Sequence, residues 1–354
     1  MPDTPKRLPW IDALRGLAII LMVPANLAPY FAEPHPMWFR ILGSFAAPTF
    51  IMLSAGMVVL TGERHSLSYY LKRGGIVLGV GVLLDTLLWE IFPFTSFDVL
   101  YTIGISLPLI YILRKVESRE LLYLSVIIFL AMYVLQQLTG YHAEPLEVYF
   151  EEVYTPSITR ILQSWFIDGW FPILPWLGYA TLGALFFRTL FRENSGTSNR
   201  FLLFGGGLTL AGFALLFIPL PFLDNLADGT ILESRGGYSE IFYPPTFAYI
   251  FTSIGIVMFF SALLRRMRFP AVSSLLAFFG RHSMMVYILH QVMGTFVVEP
   301  LTVAAGYDAI ELGPIFTLVN LAVLGGIYAI CFGIDMVKER RAPQSTVMQV
   351  LFGK

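Results

Sequence analysis

Apolar residues run along this chain in blocks of roughly the length that spans a bilayer, about twenty residues. Short stretches rich in charge, Pro and Gly separate them. The blocks fall at 13–31, 41–61, 74–91, 99–113, 121–138, 171–189, 200–221, 244–264, 272–297 and 314–334. Helices are required, because backbone polar groups in lipid must be satisfied within their own segment. The pattern predicts an all-α polytopic membrane protein, a bundle of about ten transmembrane helices forming one domain over residues 1–354. The fourth block is short. The ninth reads as an interfacial helix followed by a shorter span beginning near Ser283. Segment 158–168 (ITRILQSWFID) is patterned as an amphipathic helix lying on the outer face.

Composition agrees. Of 354 residues, 56% are hydrophobic and 13% charged, with a mean hydropathy of +0.70. A soluble domain of that length could not hide so much apolar surface, so lipid is the main solvent. The net charge of −1 gives no bulk attraction to nucleic acid. Cys331 is the single cysteine, which removes an intrachain disulfide and any Cys-based metal site, and no metal is expected. Lys6 and Arg7 precede the first block without a small-residue cleavage signature, so that span is expected to be retained. With ten spans, 20 of the 23 Lys and Arg fall on one side, leaving Arg40, Arg160 and Arg235 on the other. The positive-inside rule then places both termini in the cytoplasm of a multi-pass cell-membrane protein. The opposite loops, 139–160 and 222–243, are long and acidic. Trp38, Trp89, Trp165 and Trp170 fall at outer boundaries, as an anchoring aromatic belt would.

Polar residues inside apolar blocks are expensive and mark function or partnership. Asp12 and Arg15 open the first block at a spacing that allows them to pair. Arg15 and Asn26 lie eleven residues apart, which returns to nearly the same helical face about 16 Å further along. A polar stripe therefore runs up the first helix. His35 follows in the gap before the second block. Asp85, within an apolar run, and Asp98, Glu90 and Asp168 at block ends are further candidates. Ser283, Tyr287, His290 and Gly294 share one small or polar helical face, suited to meeting another helix. Gly75 and Gly79 have the small-x-x-x-small spacing that lets helices approach closely. No GxxxxGK[ST], HExxH, CxxC or GxSxG occurs, which removes P-loop, zincin, dithiol and serine-elbow chemistry. From the residues alone, Asn26 reads as interhelical glue ahead of catalysis, and His35 as a solvated loop histidine ahead of a base.

The stretch IDALRGLAIILMVPAN (11–26), then HPMW (35–38), then FAAPTFIMLSAG (45–56), resembles the catalytic core of the heparan-α-glucosaminide N-acetyltransferase family and its bacterial relatives. The ordered set Asp12, Arg15, Gly16, Asn26, His35 and Trp38 carries the resemblance. Shorter matches follow at LKRGG (71–75), FDVLYTIGI (97–105), LPWLGY (174–179), YPPT (243–246) and GRHSMMVYILHQ (280–291). No large lumenal domain is expected before the matched core, and ten spans are expected where the lysosomal enzyme has eleven. Likeness to the membrane acyltransferases that acetylate surface polysaccharides is weaker, because those carry a His where this chain has Asn26.

The resemblance implies an acyl-CoA-dependent acetyltransferase. It would move an acetyl group from cytoplasmic acetyl-CoA to an amine or hydroxyl of an extracytoplasmic sugar or glycan. Catalysis would fall to His35, as general base or as acyl carrier, and to Asn26, as donor to the thioester oxygen or as the group that holds His35. Arg15, Lys72, Arg73 and Arg281 would bind CoA phosphates. Asp12, Trp38, Asp85, Asp98 and His290 would support the site. Lipid is the surrounding partner, and a homodimer is compatible with the reading. The alternative from another class is a secondary transporter of a small polar or anionic solute, which also uses many spans and midplane polar residues.

Overall fold

The apolar blocks fold as helices. A computed structural model describes residues 8–192, 195–218, 234–267, 270–306 and 310–338. Among these, the only β-structure is a pair of isolated bridges. The acidic Asp224, Asp228 and Glu233, and the basic Lys6, Arg7, Arg268, Arg340, Arg341 and Lys354, lie outside the described residues.

The helices are α1 (Pro9–Leu27), α2 (Met37–Gly43), α3 (Ala46–Thr61), α4 (Leu67–Leu87), α5 (Val99–Leu113), α6 (Ser118–Thr139), α7 (Ile158–Gln163), α8 (Ile173–Arg192), α9 (Ser195–Phe217), α10 (Phe247–Leu264), α11 (Pro270–Arg281), α12 (Ser283–Met293), α13 (Glu299–Ala305) and α14 (Pro314–Lys338). Nine described helical stretches are long and apolar enough to cross a membrane. The tenth predicted block is α5, apolar but only 15 residues long. Local signals set several starts. Asp98 caps α5 by accepting from the Leu100 N–H, Thr246 caps α10 through Tyr249, and Ser157 caps α7 through Arg160. Beyond α7, a π-turn over Ser164–Asp168 leads toward α8, leaving Ile158 and Leu162 exposed.

The ninth block divides as expected at His282, with a span from Ser283 to Ala305. Its first half, α11, departs from the interfacial reading. A Cβ placed on Gly16 would come 1.8 Å from the Leu276 carbonyl oxygen, and one on Gly280 would come 1.8 Å from that of Asp12. The two backbones touch at both points, so α11 packs antiparallel along the first half of α1. The expected role of Gly75 and Gly79 is also corrected. Neither meets anything within 4 Å, whereas the neighbouring Gly74 abuts the Gly104 carbonyl and brings α4 onto α5. The glycine pair therefore sits on the open side of α4.

Aromatic residues from α8 and α10, among them Trp176, Tyr179 and Tyr249, fill the centre of the bundle. At the end of the bundle where α1 finishes, residues 140–172 and 234–246 fold into a cap. Its pin is Arg235, which is fully buried. Its guanidinium donates to the carbonyls of Ala143, Gly169 and Asp168 and to the Tyr141 hydroxyl. Asp168 is buried too, paired with Arg160 at 2.7 Å and with His142. The Ser44 break between α2 and α3 anchors the same cap. Its hydroxyl accepts from the Ile241 N–H at 2.8 Å, and its carbonyl accepts from the Tyr249 hydroxyl at 2.7 Å.

Candidate functional site

A cavity of about 1070 Å³ runs between the two ends of the bundle. Where α1 begins, Arg15, Arg64, His65, Arg73 and Arg281 line it. Where α1 ends, its walls carry Trp89, Asp98, Glu147, Trp170 and Glu240. Met22, Ala25 and Asn26 line it from α1 in between. One end is cationic and the other is acidic and aromatic.

At the cationic end, Arg15 donates to Asp12 at 3.2 Å, the expected pairing one turn apart, and to the Gly280 carbonyl at 3.4 Å. Arg73 donates to the Tyr69 hydroxyl at 3.4 Å, and Arg281 lies over the Phe278 ring. Lys72 is exposed and is not on the cavity wall. The sequence reading passed over Arg64 and His65, which share the loop between α3 and α4. Guanidinium forks here suit an anionic ligand.

Midway, the polar face of α12 meets α1. His290 is fully buried. Its Nδ1 lies 3.0 Å from the Val286 carbonyl, so that nitrogen carries the proton and Nε2 accepts. The Asn26 amide donates to that Nε2 at 2.9 Å. Asn26 is therefore oriented by His290, and it does not hold His35. One turn earlier on α12, the Tyr287 hydroxyl donates to Asp98 at 2.8 Å. Asp85, whose partner was not legible from the sequence, accepts from the Tyr101 hydroxyl. Neither Asp85 nor His290 is on the cavity wall.

His35 lies one hydrogen bond behind the wall. Its Nδ1 meets the Ser239 hydroxyl at 2.8 Å, and the next residue, Glu240, lines the cavity. Burial lowers the pKa of the imidazole, with Glu33 opposing the shift. The ring is thus neutral at pH 7, the form a base requires. Its Nε2 has no hydrogen-bond partner among the described residues. Arg40 donates to the Ser239 carbonyl at 2.6 Å and fixes the same strand of chain.

Of the four boundary tryptophans, Trp38 is exposed, as an anchor would be. Trp89 and Trp170 instead face the cavity, and the Trp170 N–H donates to Glu147 at 2.9 Å. The sequence reading missed Ser239, Glu240 and Arg235 as site or scaffold residues. They sit in a loop without periodicity, where acidic and basic side chains look solvated. Among the described residues, no group of three or more His, Cys, Asp and Glu is arranged to hold a metal ion.

Helices long and apolar enough to cross a membrane, packed around a cavity whose ends differ in charge, define a polytopic membrane protein. Residues 7–218 match the family described as Heparan-alpha-glucosaminide N-acetyltransferase, catalytic. The match covers more than half of the chain, which belongs to this family of membrane acetyltransferases. A comparison with curated proteins finds no match.

Proposed function

We propose that the protein transfers an acetyl group from cytoplasmic acetyl-CoA to an amine or hydroxyl of a sugar or glycan on the other side of the membrane. The observation that supports this most is the difference in charge between the two ends of the cavity. Its cationic end suits the phosphates of CoA, and its acidic, aromatic end suits a sugar. Asn26 lies between, where the pantetheine arm would bring the thioester.

In this reading both termini are cytoplasmic, and the acceptor enters from the face of the Arg235 cap. The acceptor nucleophile attacks the thioester carbonyl, and the C–S bond breaks as the new C–N or C–O bond forms. The acceptor's proton goes to His35 and leaves with the CoA thiolate as thiol. His35 is not on the cavity wall and its Nε2 is buried, so that role requires the Ser239–Glu240 chain to move aside and open Nε2 to the acceptor. Asn26, with one N–H held by His290, turns its remaining amide N–H to the developing oxyanion. A cavity that reaches both faces would also serve a transporter. Membership of an acetyltransferase family favours chemistry.

The test is direct. Purified protein should be stabilised against heat by millimolar CoA, and with radiolabelled acetyl-CoA and glucosamine it should produce labelled acetylated sugar. No stabilisation and no labelled product would turn the reading toward transport.

A further inference from the structure

One oxygen of the Glu240 carboxyl, Oε2, is unpaired among the described residues, although the residue is only 8% exposed. A buried polar atom left unpaired costs roughly 1–3 kcal/mol, more when charged, so it is usually retained for a reason. Glu240 also faces the cavity.

Its position is set by contacts on three sides. Ser239, immediately before it, is tied to His35 and Arg40. The Ile241 N–H, immediately after it, is tied to Ser44. A Cβ placed on Gly43 would lie 3.9 Å from the Glu240 Cγ and 2.9 Å from the Ala25 Cβ, so the side chain rests beside the Ala25–Asn26 turn of α1. It therefore stands near the amide that would receive the thioester, and on the side away from the arginines. The other carboxylates of this end are engaged. Glu147 accepts from Trp170 and Tyr149, and Asp98 accepts from Tyr287.

We propose that Glu240 is the residue that binds the acceptor, accepting a hydrogen bond from the N–H or O–H group that is to be acetylated or from its neighbour on the ring. This rests on the acetyl-transfer reading and adds a binding residue to it. Oε2 is turned in behind the cavity surface, and a rotation of the carboxyl toward the cavity would give it a donor when acceptor is present, beside Asn26. Burial pushes the carboxyl up to about 7, opposed by its own backbone N–H and by Arg40. The charged and titratable groups around it are Arg40 and His35 on the α1–α2 side, Tyr238 and Tyr243 in its own segment, Tyr249 on α10, and Glu147 and Asp98 on the cavity wall.

The test is steady-state transfer from acetyl-CoA to glucosamine by wild type and Glu240→Gln. The variant should raise the acceptor KM roughly 10- to 100-fold, the value of a hydrogen bond to a charged group. The acetyl-CoA KM and the stabilisation by CoA should stay unchanged. Glu240→Asp, which restores the charge on a shorter arm, should recover part of the loss. In the wild type, lowering the pH through 7 protonates the carboxyl, so the acceptor KM should rise below that pH. The rise should be shallower in Glu240→Gln, where only the acceptor amine and His35 still titrate. N-acetylglucosamine as competitor separates the donors: competition lost in the variant points to a hydroxyl, and loss confined to glucosamine points to the ammonium. An acceptor KM within threefold of wild type in Glu240→Gln overturns the proposal and leaves the transfer reading standing. Should the variants not fold, a wild-type acceptor KM that is flat from pH 6 to 8 overturns it equally. A wild type that acetylates nothing overturns both.

Discussion

At the residue scale, the site is a set of polar atoms whose partners were mostly invisible in the sequence. The polar pattern marked Asp12, Arg15, Asn26 and His35 as candidates, and the family resemblance alone gave Asn26 and His35 a catalytic role. The pattern did not pair them correctly beyond Asp12 with Arg15. The hydrogen bond that orients Asn26 comes from His290, 264 positions away, and the one that orients His35 comes from Ser239, 204 positions away. The two candidate catalytic residues are thus served by different parts of the chain and should respond differently to mutation. His35→Ala is expected to abolish acetyl transfer while CoA stabilisation persists; near-normal turnover would remove His35 from the mechanism. Asn26→Ala should lower kcat by about 10²–10³, the usual cost of losing one oxyanion donor. A change confined to the acetyl-CoA KM would show that Asn26 only binds the donor.

At the element scale, hydrophobic periodicity was sufficient for the helices and insufficient for their contacts. Every predicted block corresponds to a helix, because length and apolarity leave a chain in lipid little choice. Which glycine lets two helices touch depends on rotation about each axis, and periodicity does not record that. Gly75 and Gly79 had the spacing, and Gly74 has the contact. Gly16, placed by the Asp-x-x-Arg-Gly resemblance, has a packing explanation of its own, the passage of α11 across α1. A methyl group at either Gly16 or Gly280 would collide with a backbone carbonyl that cannot swing aside. Gly280→Ala is therefore expected to destabilise the protein by about 1–3 kcal/mol or more. The loss should be measurable as a lowered Tm in detergent, and an unchanged Tm would mean that the helices separate freely there. Arg15, which donates to the Gly280 carbonyl, should be displaced in the same variant.

At the scale of the whole molecule, the two ends of the cavity differ in charge, and under the proposed function that difference would set the direction of transfer. The alternation of spans predicts an excess of Lys and Arg on one face, and most of those side chains need do no more than signal topology. Folding selects a few of them, Arg15, Arg64, Arg73 and Arg281, to line the cavity and leaves Lys72 outside it. The difference is testable within one motif. Arg73→Ala should raise the acetyl-CoA KM, with an effect that weakens as salt is added. Lys72→Ala should leave it near the wild-type value. Equal effects of the two would indicate that a diffuse cationic field draws the donor in. The acidic end is built differently. There the loops read as solvated acidic connections, and their described parts, residues 140–172 and 234–246, fold into a cap pinned by the buried Arg235, which brings Trp170 and Glu240 to the cavity.

The sequence by itself determined the solvent, the helices and the short list of polar residues on the first helix, since each follows from local composition and from the cost of unsatisfied groups in lipid. Tertiary structure alone decided which polar atoms meet. It placed His290 on Asn26, put Ser239 against His35, and left Glu240 facing the cavity without a partner among the described residues. Such pairings depend on how distant helices and loops are rotated and stacked, and the local pattern of hydrophobic and polar positions carries no term for that.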